Sequence, residues 1–554
     1  MMRDTSSLLV TRAVAATGSI ASNTSNASRK MNFISHLHLI RVLCANEVRL
    51  RMRRISSLLA VIAMIVISWS MIVDPKTGSS LMSINHARVL YTSSALAMGS
   101  ASLLSFVLAA ISFYLVRGRI IEDIRSGIGA VIASTPVSNT LFLFSRWLGG
   151  VAYILLLIMV AMCSVMLLQV LRGDGTVQVL IYLQTYLLVL VPMIFSAVGA
   201  AILFDSTPFL MGKAGDVLYF FVWIFQISLV SKIDDLSGGF SYWLMWDFSG
   251  LVTTIFTLKT HLMTNSFSLG ASSFDPAITP ITLPAMMWTT DMILTRLGSA
   301  VIALSVVGLA IPLFHRFSPD KVKASHAKKR RSPLEMLNVW SRPLAKQVHP
   351  LFLWSAKASG MLGQVMSEVA LSLVSAPFSI LVLILVISIS ALINLSALPG
   401  LGLFAVAYWG VMMSDVSTRD YQSAMESMTA AGRGGADWRY IRHFMASVTL
   451  GLMFVGVIIF RLSFISPVQA LALFVGILSM SAAANFLGKT SNTPKTFMSL
   501  YLFTLYLSTQ APKVPVIDIF GLNAAATMTN ILQQFGVALV VGVAGLFYHR
   551  WKLS

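Results

Sequence analysis

The fold class this sequence predicts is all-α: a polytopic membrane protein of about twelve transmembrane helices in two parallel six-helix repeats. Three observations predict it. The chain of 554 residues is 56% hydrophobic and 11% charged, with a mean hydropathy of +0.80; soluble domains carry about 25% charge, so a soluble globular chain is excluded. Apolar runs long enough to cross a bilayer recur along its length. With the amino terminus inside, 27 Lys and Arg fall in the loops on that side and 7 on the other, the bias expected of inner loops. The net charge of +19 is therefore read as a topology signal and not as a nucleic-acid surface.

Residues 1–30 are rich in Ser, Thr and Ala with Asp4 as their one acid, and are expected to be a disordered or non-native tail. Met31 opens the first structured segment. Ile34, Leu37, Ile40 and Leu43, followed by Arg49, Arg51, Arg53 and Arg54, describe an amphipathic helix lying along the inner membrane surface. Spans are expected at 57–73, 93–116, 147–171, 179–204, 217–230 and 292–314, completing a first half over 31–314. Residues 315–350, with Lys328, Lys329, Arg330 and Arg331, form a basic inner linker. The second half, 351–554, opens with another amphipathic stretch (Leu362, Val365, Met366, Val369). Spans follow at 377–395, 397–413, 444–460, 468–487, 497–510 and 531–548. Both termini fall on the inner side.

The stretch Arg117–Arg146 lies between two apolar runs and is charged. Ile121, Ile124, Ile128, Val131 and Ile132 recur at helical spacing, with Glu122, Asp123 and Arg125 off that face, and Pro136 ends the pattern. Alone it would read as a helix resting on lipid headgroups. A second such stretch, Asp415–Arg442, holds the same place in the second half, with Asp420, Tyr421, Met425, Glu426, Met428, Gly434, Gly435 and Arg439. Sliding Asp123 onto Asp420 places Ser126 on Ser423 and brings Arg146 beside Arg442. A surface helix kept in both copies favours a partner protein over lipid. Two further correspondences support a duplication: Glu47-Val48-Arg49-Leu50 with Glu368-Val369-Ala370-Leu371, and Asp247-Phe248-Ser249-Gly250-Leu251 with Asp518-Ile519-Phe520-Gly521-Leu522.

Chemical motifs are few. Gly488-Lys489-Thr490 ends like a P-loop, but Ala483 stands where the first Gly is required. Leu236-Ser237-Gly238-Gly239 resembles a nucleotide-binding signature without the rest of an ATPase. His36 and His38 lack acidic or thiolate company, and Asp234 with Asp235 reads as a solvated turn. Cys44 and Cys163 support neither a disulfide framework nor a thiolate metal site. The expected spans hold one charge, Arg296, near enough to an outer end to snorkel; no acid or His for ion coupling is seen in them. Trp243, Trp246 and Trp288 suit an interfacial belt. Phe220, Phe221, Trp223 and Phe225, with 30 Met, offer an adaptable lining for apolar cargo, set against plain packing and lipid contact.

The whole arrangement, and above all Glu122, Asp123, Gly127, Gly129 and Pro136, resembles the membrane subunit of ABC-2 type transporters. That resemblance implies a permease, with no catalytic, cofactor or metal site of its own, in an inner (plasma) membrane. A separate ABC ATPase in two copies would carry ATP and Mg. The coupling residues would be Glu122, Asp123, Ile124, Gly127, Ile128, Val131 and Pro136, and Asp420, Tyr421, Met425 and Glu426. Gly434 and Gly435 stand where the second copy would have Pro, so a weaker second grip is expected. The cargo would be hydrophobic or amphipathic (a drug, peptide or lipid). Its path would be lined by 93–116, 217–230, 397–413 and 497–510, with Phe221, Trp223 and Phe225 as candidates. The alternative is an ion-coupled secondary transporter of twelve spans.

Overall fold

The computed structural model describes residues 36–230, 242–262, 267–315, 317, 333–430, 435–510 and 514–553. The amino-terminal tail, Asp234–Gly239, Lys328–Arg331 and Gly434 lie outside the described residues.

The chain is a mostly helical, multi-pass membrane protein. Two helices, α1 (His36–Met52) and α2 (Ile55–Met71), meet at 77°. Strands β1 (Ser79–Ile84) and β2 (Ala87–Arg88) precede α3 (Ser93–Val116), whose N-cap Thr92 accepts from the Ala95 amide. The short α4 (Arg119–Arg125) and α5 (Ile128–Ser134) lead to α6 (Asn139–Arg172), capped by Ser138. Then come α7 (Val179–Ser206), α8 (Lys213–Ser228), α9 (Leu251–Leu262), β3 (Phe267–Ser273) and α10 (Thr290–Leu313). The second part holds α11 (Pro333–Trp340), α12 (His349–Lys357), α13 (Met361–Ser375) and α14 (Phe378–Leu392), the last two meeting at 105°. It continues with α15 (Leu398–Met413), α16 (Arg419–Gln422), α17 (Glu426–Ala430), α18 (Gly435–Ser463), α19 (Pro467–Ser491), α20 (Pro494–Gln510) and α21 (Met528–Leu553).

Among the described residues eight helices are long and apolar enough to cross a membrane, or ten if each bent pair is one span. Every predicted run coincides with a helix, but α2, α8, α14, α15 and α20, of 15 to 17 residues, fall short of the roughly 20 that a bilayer core asks for. The all-α expectation needs a correction: β2-β1-β3 form an antiparallel sheet, with Ser83 opposite Arg88 and Ser79 opposite Ser273. Its strands come from loops nearly 200 residues apart in sequence, and alternation is too brief in each to announce a strand.

In the first part α7 is the hub, packed on α3, α6 and α10; in the second α19 is the hub, packed on α18, α20 and α21. The parts meet chiefly where α3 lies against α20. An aspartate caps a turn in each part, taking amides three and six residues on in the first and five and seven on in the second. Asp247 accepts from the Gly250 and Thr253 amides at 2.9 Å, and Asp518 accepts from Asn523 and Ala525 at 3.1–3.2 Å. Gly250 and Gly521 both take positive φ, +75° and +65°, a conformation glycine adopts without strain.

Arg296 does not snorkel. It is fully buried, and its guanidinium donates to the backbone carbonyls of Leu188, Val189, Asp247 and Phe248. It thereby fastens the Asp247 turn to α7. Those acceptors lie in other segments, which hydropathy along one helix cannot reveal.

Candidate functional site

The stretch expected to be one amphipathic helix is two short ones, α4 and α5, set at an angle by Gly127. That residue has φ +75°, where only glycine is free of a Cβ clash. Thr135 is extended before Pro136, as a pre-proline residue must be, so Pro136 closes the cradle as expected. Gly129 is buried under the Phe317 ring, which leaves no room for a Cβ.

Of the two acids of the first cradle, Asp123 faces inward and Glu122 stays partly exposed. Asp123 is buried and bonded to Arg146 of α6, with Arg119 at 4.0 Å. Glu122 is partly exposed but accepts from Arg54 at 2.5 Å and Arg119 at 2.9 Å. Glu47 of α1 joins them through Arg51 at 2.7 Å and Arg119 at 3.6 Å. Arg51 also donates to the Leu115 and Val116 carbonyls at the end of α3. The network thus pins α4 to α1, α3 and α6. Beyond the end of α3, burial acts against the Glu122 carboxylate, yet Arg54 and Arg119 outweigh it and hold its pKa below the usual range. For Asp123 burial wins and raises the pKa against the pull of Arg146 and Arg119.

The first cradle also presents apolar side chains. Ile128 is 50% and Val131 66% exposed, while Ile124 is partly buried against the core.

The second cradle has the same parts. Its two short helices, α16 and α17, are separated by Ala424 at φ +55°, the position that Gly127 takes when Asp123 is laid on Asp420. Asp420 is buried; it accepts from Thr429 at 3.0 Å and lies 3.7 Å from His443. Glu368 of α13 gathers Arg419 at 3.6 Å, Arg442 at 3.1 Å and His443 at 3.8 Å. Glu426 is held by Arg439 at 3.4 Å. Tyr421 is exposed, and Met425 and Met428 are 47% and 69% exposed, matching Ile128 and Val131. The three sequence correspondences (Glu47 with Glu368, Asp123 with Asp420, Arg146 with Arg442) therefore meet in one node in each part. Gly434, on which the expected weaker second grip rests, lies outside the described residues.

Ala424 carries the strain that Gly127 avoids. A left-handed non-glycine residue costs roughly 1–2 kcal/mol, part of which glycine returns through unfolded-state entropy. Ala424→Gly should therefore stabilise the chain by about 0.5–1 kcal/mol, raising the apparent melting temperature in detergent by roughly 1–2 °C. Gly127→Ala should lower it. A drop with Ala424→Gly would show that the left-handed break is not the local minimum proposed.

Of the three predicted path residues, only Trp223 faces the junction of the two parts. It is buried, donates to the Phe106 carbonyl at 3.1 Å, and packs with Phe106, Phe503 and Tyr506 at ring separations of 4.8–5.8 Å. Phe221 and Phe225 point away and are largely exposed; two residues along a helix turn a side chain by some 200°.

Sequence reasoning missed a second buried charge cluster at the cradle end. It placed 205–216 in a loop, but Asp205 ends α7 and Asp216 lies in the first turn of α8, both buried. Arg117 pairs with Asp216 at 2.5 Å and Asp205 at 3.6 Å, and Asp205 accepts from the Gly118 amide at 2.7 Å. The Lys495 ammonium would lie only 2.4 Å from a Cβ at Gly118. A signal was available in the charges flanking apolar runs, which were counted only for topology.

No family model matches the chain, and neither a curated protein nor a solved structure does.

Proposed function

We propose that the chain is the membrane permease of an ATP-driven exporter, twelve spans in two parallel six-span repeats, each with an elbow helix (α1, α13) before its first span. In this reading both termini and both cradles are cytoplasmic, following the charge bias, and the membrane is the inner (plasma) membrane. The single observation that carries the reading is the pair of cradles. Each is a broken helix locked from behind by a buried charge node and presenting two exposed apolar side chains outward (Ile128 and Val131, Met425 and Met428). A rigid apolar knob on a charged base suits insertion into a groove of another protein. Two such knobs suit two copies of an ATPase carrying ATP and Mg. The cargo would be hydrophobic or amphipathic and would pass between α3, α8, α15 and α20, where Phe106, Trp223, Phe503 and Tyr506 meet.

A second reading, the ion-coupled secondary transporter, gains support from Asp205 and Asp216, since buried carboxylates in spans are where protons or ions are handled. Their close Arg117 partner favours a structural role. One experiment separates the two. In inside-out vesicles supplied with ATP, uptake of a fluorescent amphipathic dye should persist when a protonophore collapses the proton gradient, and stop without ATP. Uptake by the purified chain alone in liposomes, driven by a proton gradient, would overturn the exporter reading.

A further inference from the structure

We infer that a lysine from the path helix of each half reaches the root of the opposite cradle, Lys213 by an ion pair and Lys495 by close approach, so that moving either cradle acts on the aromatic junction from across the molecule. The inference rests on the permease reading for its purpose and on the contacts for its content. Lys213 opens α8 in the first half, yet its ammonium pairs with Asp415 at 2.9 Å and donates to the Val411 carbonyl at 3.2 Å. Both acceptors lie where α15 runs into the second cradle. Lys495 opens α20 in the second half, yet its ammonium lies against Gly118, the residue from which the first cradle starts. There it feels Asp205 and Asp216. The two lysines thus hold equivalent places, one in each half, and each reaches across the junction.

The path helices carry the link onward. Trp223 stands ten residues beyond Lys213, and Phe503 eight beyond Lys495; on a helix these are about 15 and 12 Å. Both rings end in the same cluster, 5.8 Å apart. A helix is stiff over such lengths, so a lysine displaced at its base moves a ring in the junction. A cradle that leaned only on its own half would lack this lever. The crossed arrangement couples the two cradles even when one partner moves first.

The test needs neither cargo nor ATPase. The full chain carrying Phe106→Cys and Phe503→Cys, in lipid nanodiscs, is treated with a short bis-thiol reagent and the rate of cross-linking across the junction is measured. Lys213→Glu should slow that rate by about two- to fivefold, the population shift an ion pair of this exposure can impose. Lys213→Asp combined with Asp415→Lys should restore it. Lys495→Met, close in shape and without charge, should slow it as well in protein that still assembles folded in nanodiscs. If either single variant folds and cross-links at the parental rate, or if the swap fails to restore it, the latch is refuted. Because transport is not read, failure of the exporter reading would leave this result standing, and the reverse.

Discussion

Replacing Asp123 with alanine is expected to destabilise the first cradle and the helices it is tied to by about 3–5 kcal/mol, the cost of leaving the other member of a buried ion pair uncompensated. The stranded charge is Arg146, whose side chain is 11% exposed and which would keep the Phe142 ring at 4.6 Å but no carboxylate within ion-pair distance among the described residues. Glu122→Gln should cost far less, about 0.2–1 kcal/mol, because that carboxylate is 43% exposed and well screened. Two measurements decide the matter: the apparent melting temperature of purified protein, and protease nicking between α3 and α6. Asp123→Ala/Arg146→Leu, which removes both charges, should recover at least half of the loss. If Asp123→Ala left stability intact and abolished only binding of a partner, the carboxylate would be a contact residue. Its burial in the free chain would then have to open on docking.

The helical elements were legible because hydropathy is a local property: each predicted run, read from composition alone, coincides with a helix. Pairwise correspondences were legible too. Asp247 and Asp518 each cap a turn, at different offsets, and Gly127 and Ala424 each stand at a helix break with positive φ. Contacts between distant segments were not legible. The Arg296 guanidinium finds its acceptors 48 to 108 residues away, and β1 pairs with a strand from the other loop. The break at Gly127 was hidden for a different reason. A glycine within a helical pattern is compatible with continuation at modest cost, so periodicity alone reads through it. The inward aim of Asp123 had the same origin. A charge off the apolar face reads as solvated until the Arg that covers it, 23 residues later, is known to fold back.

If the chain is the exporter permease proposed above, the largest functional effect is expected from Ile128→Asp. Burying a large aliphatic side chain in a partner groove is worth about 1.5–3 kcal/mol, and a carboxylate in its place forfeits that and adds an unpaired buried charge. Binding of the ATPase to the first cradle should fall by at least about 100-fold, and ATP-driven transport should be lost at equal expression. The fold should survive, since Ile128 is half exposed and makes no part of the charge node. Met425→Asp should do as much at the second cradle, because Met425 and Met428 are as exposed as Ile128 and Val131. Methionine even fits a groove more adaptably than a branched chain. The readouts are permease-stimulated ATP hydrolysis and co-purification of the ATPase with each single variant and the double. If Met425→Asp were mild while Ile128→Asp was severe, the two cradles would be unequal despite equal surfaces, and an asymmetric pair of ATPase sites would be the remaining cause. Normal coupling in both single variants would place the docking surface elsewhere and remove the observation on which the exporter reading stands.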